Sequence, residues 1–208
     1  MTVQDIKGTS VTDVADMDTL RANVQEELPE LEWISNPDLR EKVVAAWALA
    51  LSETEYRRIS DIPPEGYPGH LILTRGTQAD HMRGVTKAAV AMADAWAELL
   101  GDFGINRDIL IAGALVHDCG KPFEFSQRNR ERWEADSGAE GLPAVRHPVY
   151  GVHIAASVGL PIQIIHIVGG HSIHNEGSFI TPSRENIIVQ WADAAFWYVL
   201  ERAGVVIK

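Results

Sequence analysis

The sequence predicts an all-α protein, and three observations predict it. Apolar residues recur at three- and four-residue spacing along most of the chain. Helix start and stop residues bracket those stretches, and no stretch shows the strict alternation of a half-buried strand. With 208 residues, 46% of them hydrophobic and 23% charged, the chain can bury one sizeable core and carry a short accessory segment.

In residues 1 to 35, Val14, Met17, Leu20, Val24 and Leu28 predict one amphipathic helix that ends before Pro29. Pro37 to Ser52 predicts a second, with Asn36 as N-cap, Pro37 at the first position and Leu39, Val43, Ala46 and Leu49 on one stripe. Ile62 to Gly69, with Pro63, Pro64, Gly66 and Pro68, is expected to break all regular structure, so residues 1–70 are an N-terminal helical accessory segment with its linker and residues 71–208 the main domain.

Thr77 to Asp80 has capping-box spacing and opens a long helix whose buried stripe is Val85, Ala88, Met92, Trp96, Leu99 and Phe103. His81 lies four residues before Val85, on the same inward stripe. Asn106 to Cys119 is apolar nearly all round, which marks a central helix, and Gly120 and Pro122 are expected to stop it just after His117-Asp118. Lys121 to Arg146 reads as a polar loop carrying Arg128, Arg130 and Arg132, of a length more typical of a functional lid than of idle chain. His147-Pro148 starts a third helix of the domain, and Pro161 opens a short fourth in which Ile164, Val168 and His171 share a face. His171 to Gly177 is loop. The last helix, about Ser183 to Arg202, is apolar on most sides with one acid, Asp193, in its middle.

Composition limits the function. The net charge of −11 argues against general binding to nucleic acid or anionic membrane, and no apolar run approaches the ~18–20 residues of a membrane span. The N-terminus shows no targeting pattern, and the single cysteine, Cys119, excludes an internal disulfide and any multi-cysteine zinc site. A cytoplasmic protein with a small-molecule, anionic substrate is expected, and the aromatic last helix leaves room for a homo-oligomer face.

The inward polar groups are His81, His117, Asp118, His147, His171 and Asp193, from five helices. Four imidazoles and two carboxylates suit divalent transition metals, with Fe or Mn first and Zn, Ni or Co as alternatives. Six donors exceed what one catalytic ion needs and suit two ions sharing a carboxylate. His117 and Asp118, about 100° apart around a helix, can serve one cluster only at a helix end.

His81, then His117-Asp118, then a distant Asp193 on helices resembles the HD-domain superfamily of metal-dependent phosphohydrolases over roughly residues 71 to 204. The further His147 and His171 resemble its dinuclear branch, which includes HD-GYP-type phosphodiesterases and HD-type diiron oxygenases. Gly66-Tyr67-Pro68 precedes the doublet, whereas the HD-GYP loop follows it, so cyclic di-GMP does not fit as substrate. The resemblance implies an HD-domain helical bundle with about five core helices. It also implies that Asp118 bridges two metals, with His81, His117 and Asp193 on one and His147 and His171 on the other.

Asp118 and Lys121 are the expected catalytic residues, and Lys121, Arg128, Arg130 and His174 the expected substrate contacts. The plainer alternatives are a helix cap for Lys121, a solvated mixed-charge loop for the arginines, and a surface position or an extra ligand for His174. The expected reaction is hydrolysis of a small phosphorylated or phosphodiester metabolite by a dinuclear metal-bound hydroxide. The alternatives are a diiron oxygenase, and a non-catalytic regulatory domain of the HD type.

Overall fold

The computed structural model describes residues 14–172 and 182–208. In α1 (Val14–Glu27), Leu20 and Val24 turn inward at four-residue spacing, with Leu28 just beyond the helix continuing the row. Pro29 then starts a 3-10 turn over Pro29–Trp33, whose buried Glu30 pairs with Arg83 and Lys87 at 3.1 and 3.2 Å. α2 (Pro37–Ser52) begins as its cap predicts: Asn36 Oδ1 accepts from the backbone N–H groups of Asp38 and Leu39 at 3.0 and 3.2 Å.

The stretch expected to be irregular instead forms a hairpin, β1 (Glu65–Tyr67) and β2 (His70–Leu73). It turns at Pro68-Gly69, where Gly69 takes φ +80°. β3 (Val206–Ile207), from the far end of the chain, pairs antiparallel with β2. Strands of two to four residues are too short to display an alternating pattern, and their pairing is not local, so the sequence carries no signal for them.

α3 (Gln78–Leu100) has the predicted capping box: Thr77 Oγ1 accepts from Asp80 N–H at 3.2 Å and Asp80 Oδ2 from Thr77 N–H at 2.9 Å. The predicted stripe fails at its far end. Burial stops at Ala93, Trp96 and Leu99 are 41% and 80% exposed, and Phe103 lies beyond the helix. α4 (Arg107–Val116) is buried at every position from Ile109 to Val116 and packs against α2 and α3. Trp47 of α2 donates its indole N–H to Leu115 O at 2.7 Å, so the N-terminal helices and the central helix share one core.

α4 ends at Val116, three residues before the predicted Cys119. The predicted polar loop after it is helical in three short pieces, α5 (Lys121–Phe125), α6 (Gln127–Ala135) and α7 (Ser137–Glu140). Ser126 caps α6 and Asp136 caps α7, and Trp133 is fully buried. These pieces are carried by caps and one aromatic anchor rather than by an apolar stripe, which hid them from periodicity. α8 (His147–Ser157), α9 (Ile162–Gly170) and α10 (Arg184–Arg202) follow the predicted starts, and α9 and α10 also pack on α4.

Gly120 is not a helix stop. Its backbone is right-handed (φ −83°) and it precedes α5, with Pro122 in that helix's first turn. A Cβ at Gly120 would lie 2.1 Å from His147 O and 2.6 Å from Gly151 N, so glycine there lets the turn after the doublet rest directly on the start of α8. The fold is therefore a helical bundle around α4 with a small three-stranded sheet at one side. No helix among the described residues is long and apolar enough to cross a membrane.

Candidate metal centre

Five helices deliver six donor side chains to one point. His81 stands in the first turn of α3 and is fully buried, with the rings of Phe196 and Trp197 centred 4.6 and 4.8 Å away. His117 and Asp118 follow the end of α4, His147 opens α8, His171 follows the end of α9, and Asp193 stands midway along α10. His117 and His171 are held alike: each Nδ1–H donates at 2.8 Å to the carbonyl three residues back, Ala114 O and Val168 O. Those bonds use the Nδ1 protons and leave both Nε2 lone pairs pointing inward. The carbonyl ends of α4 and α9, both close by, add the negative poles of two helix dipoles.

His147 Nδ1–H donates at 2.6 Å to Glu124 Oε2, which also accepts the His147 backbone N–H at 2.8 Å. Arg146 Nε in turn pairs with Glu124 Oε1 at 2.7 Å. Against its burial, His147 first and then Arg146 hold the Glu124 carboxyl below the ordinary glutamate range.

The two oxygens of Asp118 face different sets of imidazoles. Oδ2 lies 3.2 Å from His81 Nε2 and 3.6 Å from His117 Nε2, and Oδ1 lies 3.2 Å from His147 Nε2 and 3.5 Å from His171 Nε2. Asp193 Oδ1 joins the first set, 3.3 Å from His81 Nε2 and 3.9 Å from His117 Nε2. His81 and His117 Nε2 are 3.3 Å apart, as are His147 and His171 Nε2. Donors bound at ~2.1 Å and subtending 90–109° at an ion lie about 3.0–3.4 Å apart, which is close to these spacings. Two triads have all donors within 4.8 Å of one another: His81, His117 and Asp193, and His117, Asp118 and His171.

The donor chemistry fits a cation. Asp193 Oδ1 is buried with no hydrogen-bond partner among the described residues, and it faces His81 Nε2 and also His117 Nε2, whose lone pair is free because Nδ1 holds the proton. Burial pushes the His117 imidazole down to about 4, so it is neutral at pH 7 and available as a ligand. Burial opposes charge on Asp118, yet Lys121 foremost, then His117, hold its carboxyl well below the usual range. At His171 burial lowers and Asp118 raises, with a net rise, so a positive charge is favoured at that spot.

Lys121 is 1% exposed. Its Nζ donates at 2.9 Å to Asp118 Oδ2 and at 2.7 Å to Glu65 O of β1, and stands 3.4 Å from Gln78 Oε1. Gln78 Nε2 also donates to Asp118 Oδ2, at 2.9 Å. A pocket of about 60 Å³ opens over Asp118, His147, His171 and Asp193, walled by Tyr67, Lys121, Arg146 and Trp197.

The expected substrate contacts fall differently. Arg128 reaches Glu53 O at 3.3 Å and Arg130 pairs with Glu134 at 3.8 Å, and neither lines the pocket over Asp118. α6 holds both on its own turns, so they do not fold over the donors as a loop would. His174 lies outside the described residues. Residues that sequence reasoning did not single out stand around the donors: Gln78 bonds Asp118, Glu124 bonds His147, Arg146 pairs with Glu124, and Tyr67 walls the pocket. Arg146 had a signal, being next to His147; Gln78 and Glu124 become visible only once the turns that aim them are known.

A family model for the HD domain matches residues 79–195, more than half of the 208-residue chain. The chain is also similar to the dihydroneopterin 2',3'-cyclic phosphate phosphodiesterase of Methanocaldococcus jannaschii, at 34% identity over 121 residues. That stretch covers 58% of this chain and 46% of the relative, so the chain spans less than half the length of the protein it matches. No solved structure gives a significant match.

Proposed function

The chain belongs to the HD-domain superfamily of metal-dependent phosphohydrolases, and on that premise we propose that it hydrolyses a phosphodiester of a small metabolite at a pair of divalent cations shared by Asp118. The observation that carries this reading is the division of Asp118, with Oδ2 turned to His81 and His117 and Oδ1 to His147 and His171. A carboxylate that only balanced one imidazole would have no reason to address two sets. His81, His117, Asp193 and Oδ2 would hold one ion, and His147, His171 and Oδ1 the other, with iron or manganese the expected metals.

When bound, such ions supply Lewis acidity and a water acidified to near neutrality. The protein's own groups do the rest. Lys121 and Gln78 fix the Asp118 carboxylate through Oδ2, and Lys121 keeps it ionised. Glu124 holds the His147 ring so that Nε2 faces the centre. Lys121 and Arg146 give the pocket two positive walls for a phosphoryl group, and the ring of Trp197 limits water on a third side. In the net reaction one P–O ester bond breaks, water provides a hydroxyl to phosphorus and a proton to the leaving oxygen, and a phosphomonoester remains. The similarity to a cyclic phosphodiesterase supports the bond type carried over here.

The test is hydrolysis of 2',3'-cyclic phosphates by protein loaded with Mn²⁺ or, without oxygen, Fe²⁺. Phosphomonoester should appear, cease with chelator and return with metal. Substrate-dependent oxygen uptake without phosphomonoester would overturn the hydrolytic reading.

A further inference from the structure

We infer that the outward side of α10 is the interface of a two-fold dimer of this chain, whatever reaction the metal centre performs. α10 is apolar on two sides. Inward stand Ile188, Val189 and Trp197, all buried. Outward, at the three- and four-residue steps of one helix side, run Arg184, Ile187, Trp191, Ala195, Tyr198 and Arg202, all exposed, with Val199 beside them. A helix apolar all round is normally covered all round, and this one is covered only inward. Trp191 and Val199 are 57% and 63% uncovered, and Ile187 and Tyr198 more than a third. At roughly 100 Å² each, these four leave ~400 Å² of mostly apolar surface. A standard interface takes ~800 Å² per partner, a little over half of it apolar, so the stripe supplies most of what a stable pair needs.

The stripe fits a second copy because it repeats itself in reverse. Trp191 and Tyr198 stand at equal steps either side of a point beside Ala195, as do Ile187 and Arg202. A copy laid antiparallel, with the two-fold axis at that point, sets Trp191 against the partner subunit's Tyr198 and the reverse, two aromatic pairs per dimer. Each Arg202 stem then lies along the other subunit's Ile187. The small side chain of Ala195 at the axis lets the helices approach to the ~8–10 Å of packed helices. Charge agrees. The chain carries −11, which keeps copies apart wherever carboxylates face one another, but the stripe holds no acid and is bounded by Arg184 and Arg202. Tyr198 also lines the pocket over Asp118, so the interface reaches the rim of that pocket.

The experiment is sedimentation equilibrium of the full chain from about 1 to 200 µM. A dimer of twice 22.9 kDa should form, dissociating at roughly micromolar concentration. Trp191→Asp and Val199→Lys, at exposed positions outside the pocket lining, should each raise the dissociation constant at least tenfold with an unchanged far-ultraviolet circular dichroism spectrum. In Ala195→Cys, mild oxidation should link two chains, because the axis sets the two thiols together and the native Cys119 is buried. Ala156→Cys, exposed on α8, should not link. A monomer throughout the range, or a dimer that both variants leave intact, would overturn the interface, as would equal linking in Ala195→Cys and Ala156→Cys. Should either charged variant unfold, the comparison of the two cysteine variants decides alone.

Discussion

The two halves of the centre, on either side of Asp118, are built on different principles. The half containing His81, His117 and Asp193 is fixed mainly by packing: His81 is fully buried against the rings of Phe196 and Trp197, and its Nδ1 has no hydrogen-bond partner among the described residues. The half containing His147 and His171 is fixed mainly by polar partners, with Glu124 holding His147 and Arg146 holding Glu124. His81 Nδ1 thus makes no polar link outward among the described residues, although Asp118 Oδ2 beside that half is tied to Lys121 and Gln78. A chain of charged hydrogen bonds gives a position that groups at the pocket mouth can influence.

Four substitutions would break or sharpen this contrast, in falling order of effect. Asp118→Ala should remove both halves at once, leaving protein that binds neither ion and has no activity; metal analysis that still finds the wild-type content would refute its shared role. Trp197→Ala, which removes a 5%-exposed ring beside His81, should destabilise the fold by about 3–5 kcal/mol, measured by denaturant unfolding. A cost below ~1 kcal/mol would show that packing does not hold the first half.

Glu124→Gln leaves the fold standing and weakens the grip on His147. Metal affinity or turnover should fall about 10–100-fold, with the loss confined to one of two metal-binding steps in a titration. An equal loss in both steps would show that the halves are not independent. Asn36→Ala, remote from both, should cost about 1 kcal/mol of stability through the lost helix cap, with metal binding unaltered in either half.

The contrast also explains what could be read from the sequence. All six donors sit at helix phases or helix ends that spacing can place, and the structure brings all six together. His81 follows from the capping box at Thr77 and Asp80, and His147 from Pro148 behind it. The polar brace of the second half was not legible. Glu124 belongs to α5, five residues long, and Arg146 to the turn before α8, and neither element has an apolar period to announce it. The hairpin was hidden for a related reason: Pro63, Pro64 and Gly66 read as breakers, while the pairing that orders them comes from β2 and from Val206–Ile207 at the other end of the chain. Its consequence is functional, since Glu65 O holds Lys121 and Tyr67 walls the pocket. The misreading of Gly120 had another source. Glycine after a helix usually marks its stop, and here the nearness of His147 O, a tertiary contact, is what requires it.

The central claim is that Asp118 serves two ions. The most direct measurement is the number of tightly bound divalent ions per chain, by mass spectrometry of protein loaded with Mn²⁺ and passed through a desalting column. Two per chain are expected in the wild type and none in Asp118→Ala; one per chain in the wild type would show that Asp118 does not serve two ions.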